Sequence, residues 1–225
     1  MEVDILYRPA AALGVIRLQP GEQALVESAS LVSMSEGIEI QTQASGGIFK
    51  SLSRKVFGGE SFWQNVYTAP ASGGELCVGA KLPGDMFCTE VQNESLLIQS
   101  GSYVASEADI VLDTKWGGAK TFFASEGLIM LQAIGSGKVL LSSYGAIHEK
   151  VLKEGETYTV NTGHLVAFDQ SLGFKVRSVG GVKSFFLSGE GLVVDLTGPG
   201  RVFMQTRSTD AFISWLLPQI PKPTT

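Results

Sequence analysis

The stretch Gly135-Ser136-Gly137-Lys138-Val139 recurs in this chain as Ser72-Gly73-Gly74-Glu75-Leu76 and as Gly198-Pro199-Gly200-Arg201-Val202. The central glycines of the three copies, Gly74, Gly137 and Gly200, are spaced 63 and 63 residues apart. Each copy leads into an apolar run, which is typical of a hairpin turn that opens a strand. A fixed spacing of this length indicates that one structural unit is repeated along the chain.

A second element repeats in the same order. The segment from Gly21-Glu22 to Leu31-Val32-Ser33-Met34-Ser35 matches the segment from Gly155-Glu156 to Leu165-Val166-Ala167-Phe168-Asp169. A longer middle copy runs from Gly84-Asp85 to Tyr103-Val104-Ala105-Ser106-Glu107. Two independent elements in one order predict a single domain, 1–206, of three units at about 15–82, 83–146 and 147–206.

The runs between the glycines are short and rich in β-branched and aromatic residues, such as Tyr158-Thr159-Val160 and Phe174-Lys175-Val176-Arg177. These features favour strands over helices. The predicted fold is all-β, with three tandem β-sandwich units. Because one unit of about 60 residues buries too little surface alone, we expect the units to pack side by side in a pseudo-threefold arrangement.

Composition narrows the classes of function. The 225 residues carry 17 Lys+Arg against 22 Asp+Glu, a net charge of −5, and include 27 glycines. An acidic chain has no excess of cations with which to replace phosphate counterions, so nucleic-acid binding is disfavoured. The N-terminal Met1-Glu2-Val3-Asp4-Ile5 is acidic where a secretory signal is basic. We therefore predict a cytoplasmic protein.

The two cysteines flank Leu82-Pro83-Gly84-Asp85, in which proline and then glycine suit a type II turn. A hairpin at this turn would place Cys77 opposite Glu90 and leave Cys88 diagonally offset. That diagonal is too long for an unstrained disulfide. We expect two small buried thiols.

Two segments are predicted to be helical. Residues 48–57 place Lys50, Arg54 and Lys55 on the polar face of a short helix, which suits covering an open sandwich end or weak contact with an anionic membrane surface or an acidic partner. Residues 208–218 form a second helix before a tail at 219–225. Its apolar residues exceed a single stripe, so Phe212, Trp215 and Leu216 are candidates for an interface, with packing inside the chain as the alternative.

Catalytic and metal chemistry find little support in the sequence. The two histidines, His148 and His164, stand in no metal-ligand spacing, and His164 aligns with Ser102 and Ser30 of the other units. The Gly-x-Gly turns precede strands, whereas a phosphate cradle precedes a helix. We predict no catalytic residues, no cofactor and no metal.

Several ordered motifs resemble the altered-inheritance-of-mitochondria (Aim-type) family over nearly the whole chain. They are Gly46-Gly47-Ile48-Phe49-Lys50-Ser51-Leu52-Ser53-Arg54, Gly58-Gly59-Glu60-Ser61-Phe62, Gly163-His164-Leu165-Val166-Ala167-Phe168, Gly189-Glu190-Gly191-Leu192 and the run from Gly198 to Arg207. The resemblance implies three tandem units like the subunit of the tryptophan RNA-binding attenuation protein, each a small double-stranded β-helix. It implies no catalytic residues, and scaffolding at an inner membrane in the fungal lineage.

The sequence thus predicts an uncharacterised, non-enzymatic β-scaffold that contacts a protein partner or a second copy of itself. The alternative is a small-molecule binder that uses clefts between the units. A binder requires polar groups that converge at the seams between units, whereas a scaffold predicts seams filled by Leu, Val and Phe.

Overall fold

The computed structural model describes residues 1–44, 63–92, 94–113, 129–179 and 192–221. One strand, β1 (Glu2–Leu6), precedes a series of six strands that occurs three times within these residues. The first series is β2 (Leu13–Leu18), β3 (Gln23–Glu27), β4 (Leu31–Met34), β5 (Glu39–Ala44), β6 (Trp63–Thr68) and β7 (Gly74–Gly79). The second is β8 (Met86–Val91), β9 (Leu96–Gln99), β10 (Tyr103–Glu107), β11 (Val111–Asp113), β12 (Met130–Ile134) and β13 (Gly137–Ser142). The third is β14 (Ile147–Leu152), β15 (Thr157–Asn161), β16 (Leu165–Asp169), β17 (Gly173–Ser178), β18 (Leu192–Thr197) and β19 (Gly200–Gln205).

The glycines at the repeated turns occupy matching places in the strand register. Gly74, Gly137 and Gly200 each open the last strand of a series, opposite the last residue of its first strand. Gly137 and Gly200 share a backbone φ of 152°, a conformation that side-chain-bearing residues rarely adopt. The backbone geometry therefore favours glycine at positions 137 and 200.

A side-chain hydrogen bond recurs at the same place in each series. A side chain at the end of the third strand, or directly after it in the first series, accepts from the backbone N–H of the residue that follows the turn glycine. The three acceptors are Ser35, Glu107 and Asp169, at 2.9, 3.0 and 2.8 Å. This contact explains why a polar residue ends that strand in all three series.

The strands form four antiparallel sheets among the described residues. The first sheet has the order β1-β2-β7-β4, the second β5-β6-β3-β10-β13-β8, the third β11-β12-β9-β16-β19-β14 and the fourth β15-β18-β17. The second and third sheets each combine strands of two successive series. Strand β3 pairs with β10, and β9 pairs with β16, so neighbouring units share a continuous sheet.

The described residues form three apolar cores, which lie between successive sheets. Strand alternation divides the side chains between them: Leu140 packs in the first core and Leu141 in the second, while Ile98 packs in the second and Leu97 in the third. Both middle sheets are therefore covered on both faces, which accounts for their continuously apolar strands.

The C-terminal helix α1 (Thr209–Leu216) follows β19 and continues into one 3-10 turn at Leu217–Gln219. The all-β class and the C-terminal helix are confirmed. The segment predicted to be helical at 48–57 lies outside the described residues. The pairing that would close a pseudo-threefold ring within one chain, β15 with β4, is not among the described strand pairs, which form an open series of four sheets.

The predicted hairpin between the cysteines is wrong. Strand β7 pairs with β2 and β4 in the first sheet, whereas β8 pairs with β13 in the second. The Pro83-Gly84 segment therefore crosses between sheets, and Cys77 lies opposite Val15 and Ser33 instead of Glu90. Both thiols are free and only half-buried, and burial raises the pKa of Cys88.

Candidate interaction surfaces

The start of the C-terminal helix contacts Tyr144, in the connection between β13 and β14. The Arg207 N–H donates to the Tyr144 carbonyl at 3.2 Å, and the Ser208 hydroxyl accepts from the Ala211 N–H at 3.4 Å as an N-cap. The Phe212 ring meets the Tyr144 ring edge-on, with centroids 6.0 Å apart. The attachment leaves the rest of the helix free of the core.

Five large apolar side chains on this terminal segment are exposed, from 38% for Phe212 to 62% for Trp215. The others are Ile213, Leu217 and Ile220. No residue of α1 is buried, and the rings of Phe212 and Trp215 lie 6.0 Å apart. An apolar patch of this kind on a surface is typical of an interaction site. We refer to these five residues as the helix patch.

The helix patch differs in part from the residues singled out in the sequence. Phe212 and Trp215 belong to it, but Leu216 is only partly exposed. Leu217 and Ile220 lie beyond the helix, in the 3-10 turn and after it, so helical periodicity alone does not identify them. The basic residues Lys50, Arg54 and Lys55 lie outside the described residues.

Two further surfaces are open sheet edges. Strand β4 ends the first sheet and β15 ends the fourth, and each pairs with a single neighbour among the described strands. Val32 and Met34 on β4 are exposed, whereas their counterparts on β10 and β16 are buried. An exposed strand edge offers unpaired N–H and C=O groups to another chain.

The seam between the first and second units is closed by a buried hydrogen-bond network. Tyr103 is fully buried and its hydroxyl accepts from the Gln64 side chain at 2.8 Å and lies 2.9 Å from the Ser106 hydroxyl. Burial raises the pKa of Tyr103, with the bonds to Ser106 and Gln64 opposing that rise only in part. These polar groups satisfy one another, so they present no unmet donor or acceptor to a ligand.

The seam between the second and third units carries an arginine clamp. Arg201 donates to both carboxylate oxygens of Asp169, at 3.0 and 2.9 Å, and to the Thr89 hydroxyl of the neighbouring unit at 3.2 Å. Its guanidinium also covers the Phe203 ring. The bonds to Asp169 raise the pKa of Arg201 and outweigh burial, which lowers it. The arginine that follows the third turn is thus engaged within the protein.

His164 occupies a structural position, whereas His148 is exposed on β14. His164 precedes β16, where Ser102 precedes β10 and Ser30 precedes β4, and its Nδ1 lies 2.8 Å from the Gln205 carbonyl oxygen. Within the described ranges, no group of three His, Cys, Asp or Glu side chains could hold a metal ion. None of the helices described there is long and apolar enough to cross a membrane.

The sequence model of the mitochondrial biogenesis AIM24 family matches residues 3–207, which is nearly the whole chain. The chain belongs to this family. The resemblance of its sequence motifs to the Aim-type family is therefore confirmed, and the matched region contains β2 to β19 and all of β1 except Glu2. The helix patch lies beyond residue 207, outside the matched region.

Relatives of this AIM24-family chain occur in streptococci. An uncharacterised protein of Streptococcus pyogenes serotype M6 is 24% identical over 215 residues, covering 92% of this chain and 86% of the relative. The X-ray crystal structure of a Streptococcus pyogenes protein superposes with a TM-score of 0.79 at 21% identity, over 97% of this chain and 99% of that one. This likeness shows that the fold is shared.

Proposed function

We propose that this AIM24-family chain is a non-enzymatic scaffold of the cytoplasm that binds a protein partner through its C-terminal helix. The observation that carries the proposal is the helix patch, in which five large apolar side chains are exposed on one terminal element. Buried aromatic anchors contribute most of the binding energy at protein interfaces, so Trp215, the most exposed of the five, is the expected anchor.

The interior of the protein supports a scaffold over a small-molecule binder. The seams between units are continuous strand pairs, lined by Val26 and Val104 at the first and by Ile98 and Val166 at the second. The buried side-chain N and O atoms of the described residues all have hydrogen-bond partners. Polar groups at these seams therefore serve the fold, as a scaffold requires.

A matched pair of variants tests the helix patch. Trp215→Ser removes the anchor, and Val151→Ser removes an equally exposed apolar side chain from β14. Immobilised protein is incubated with lysate of the native host, and bound proteins are quantified by mass spectrometry. We expect Trp215→Ser, and a chain truncated after Arg207, to lose the same bound proteins while Val151→Ser keeps them. Equal binding by the intact and truncated chains would contradict the proposal.

The basic residues Lys50, Arg54 and Lys55 support a second, weaker contact with an anionic membrane surface, because cations on an amphipathic segment attract acidic lipids. Co-sedimentation with vesicles that contain phosphatidylserine, at low and high salt, measures this contact. We expect salt-sensitive binding that a Lys50/Arg54/Lys55→Ala variant loses. Binding that salt and this variant leave unchanged would exclude it.

A further inference from the structure

Neighbouring units are connected twice by the same kind of strand pairing, which we call the joint. In each case the second strand of one series pairs antiparallel with the third strand of the next. The pairs at the first joint are Ala105 with Val26, Ser106 with Leu25 and Glu107 with Ala24. Those at the second are Ala167 with Ile98, Phe168 with Leu97 and Asp169 with Leu96. The same register in both joints shows that the two kinds of edge fit each other wherever they meet.

Among the described strands, each half of this joint also occurs once without a partner. Strand β4 is the third strand of the first series, and β15 is the second strand of the third series. Val32 on β4 is 61% exposed, whereas the matching Val104 and Val166 are 1% and 0% exposed. Met34 is 42% exposed, and the matching Phe168 is fully buried. The first unit therefore carries an apolar edge that the other two units bury.

The backbone of both edges is oriented for pairing. The Ser35 N–H donates to Glu75 on β7, and successive residues of a strand direct their backbone groups to opposite sides, so those of Met34 face outward. On β15, the Glu156 carbonyl accepts from the Gly198 N–H beside β18. The backbone groups of Thr159, three residues on, therefore face outward as well.

We propose that copies of this chain associate head to tail, with β15 of one copy pairing with β4 of the next. The register of the two internal joints then sets Ser33 against Val160, Met34 against Thr159 and Ser35 against Tyr158. A second copy is the favoured occupant because the joint repeats an interface the chain already makes twice. The first and fourth sheets share no strand pairing or apolar core in the described part of the chain.

This association goes beyond the proposed scaffold function and uses a different surface. The contact is heterologous, since each copy offers one edge of each kind, and it builds rings or open filaments. It also removes the exposed strand edges that otherwise invite uncontrolled aggregation. A chain truncated after Arg207 keeps both edges, so the two proposals succeed or fail separately.

Blocking each edge in turn gives a distinctive signature in sedimentation velocity. Met34→Pro removes the outward N–H of β4, and Thr159→Pro removes that of β15. We expect the full-length chain to form assemblies that grow with concentration, and each variant alone to be monomeric. An equimolar mixture of the two variants retains one good edge of each kind. It should form a dimer and nothing larger.

A second variant, without proline, tests the same edge if the proline variants fail to fold. Val32→Lys places a charge where assembly buries a valine, and should weaken association at least about a hundredfold, as burial of an unpaired charge requires. Val151→Lys, at 64% exposure on β14, is the matched control and should assemble normally. A full-length chain that stays monomeric throughout the micromolar range would overturn the proposal. So would assemblies that Val32→Lys leaves unchanged.

Discussion

At the scale of single residues, the Tyr103 hydroxyl joins two units. Tyr103→Phe leaves the buried Gln64 amide without its acceptor, which costs about 1–3 kcal/mol of unfolding free energy. Tyr7→Phe is the control, because Tyr7 is 70% exposed. Urea denaturation followed by circular dichroism measures both. A loss no greater than that of Tyr7→Phe would show that the network contributes nothing to stability.

A second residue-scale prediction concerns acid. Burial alone would raise the pKa of Asp85, but the paired bonds from Arg8, at 2.7 and 2.9 Å, and the Met86 N–H hold it below its ordinary 3.8. A carboxyl with a depressed pKa stabilises the fold above its unfolded pKa, and this stability is lost as pH falls through the folded pKa.

The comparison of Asp85→Asn with the parent chain therefore depends on pH. Near neutrality we expect the variant to lose about 1–3 kcal/mol, since Arg8 lacks its charged partner. Well below pH 3.8 the difference in stability between the two chains should shrink, because the protonated carboxyl of the parent is then uncharged, like the amide of the variant. Thermal melting across this range, with the exposed Glu36→Gln as control, measures the effect. A gap independent of pH would contradict the assigned ion pair.

At the scale of elements, the repeated turn depends on glycine for two separable reasons. Gly200 has a backbone φ of 152°, which strains any residue with a side chain. A Cβ at this position would also lie 2.9 Å from side-chain atoms of Leu172 and Ser171. Gly155 has a φ of 72° and open space around its Cβ position. Gly155→Ala thus measures backbone strain alone, about 1 kcal/mol, and Gly200→Ala should cost more. If denaturant titrations gave both variants the same loss of unfolding free energy, the contacts of the new Cβ with Leu172 and Ser171 would cost nothing.

The elements also show where sequence reasoning succeeds. The turn glycines, strand runs and C-terminal helix are local features, and short-range rules identify them. The Pro83-Gly84 segment is the counterexample: a tight turn signature there specifies local backbone geometry and cannot say whether the next strand returns to the same sheet. Exposure of the helix patch was likewise left open by the sequence, because an apolar helix can pack within its own chain. That exposure depends on where Tyr144 and Arg207 fasten the helix.

At the scale of the whole molecule, the shared sheets make the three units one cooperative body. Leu131 is fully buried in the second core, on β12 of the third sheet, whose opposite face forms the third core. Leu131→Ala should cost about 2–5 kcal/mol, while Ile134→Ala, exposed on the same strand, should change stability little.

The shared sheets also determine which units lose stability in Leu131→Ala. Units that merely stood beside one another would melt separately, and Leu131→Ala would weaken the middle unit alone. Strands β3 and β10 share one sheet and β9 and β16 another, so opening the middle unit exposes the pairing edges and one core face of both neighbours. Hydrogen exchange followed by mass spectrometry should therefore show protection falling by the same factor in β2, β13 and β19. Loss confined to β8–β13 would mean that the joints transmit no stability between units.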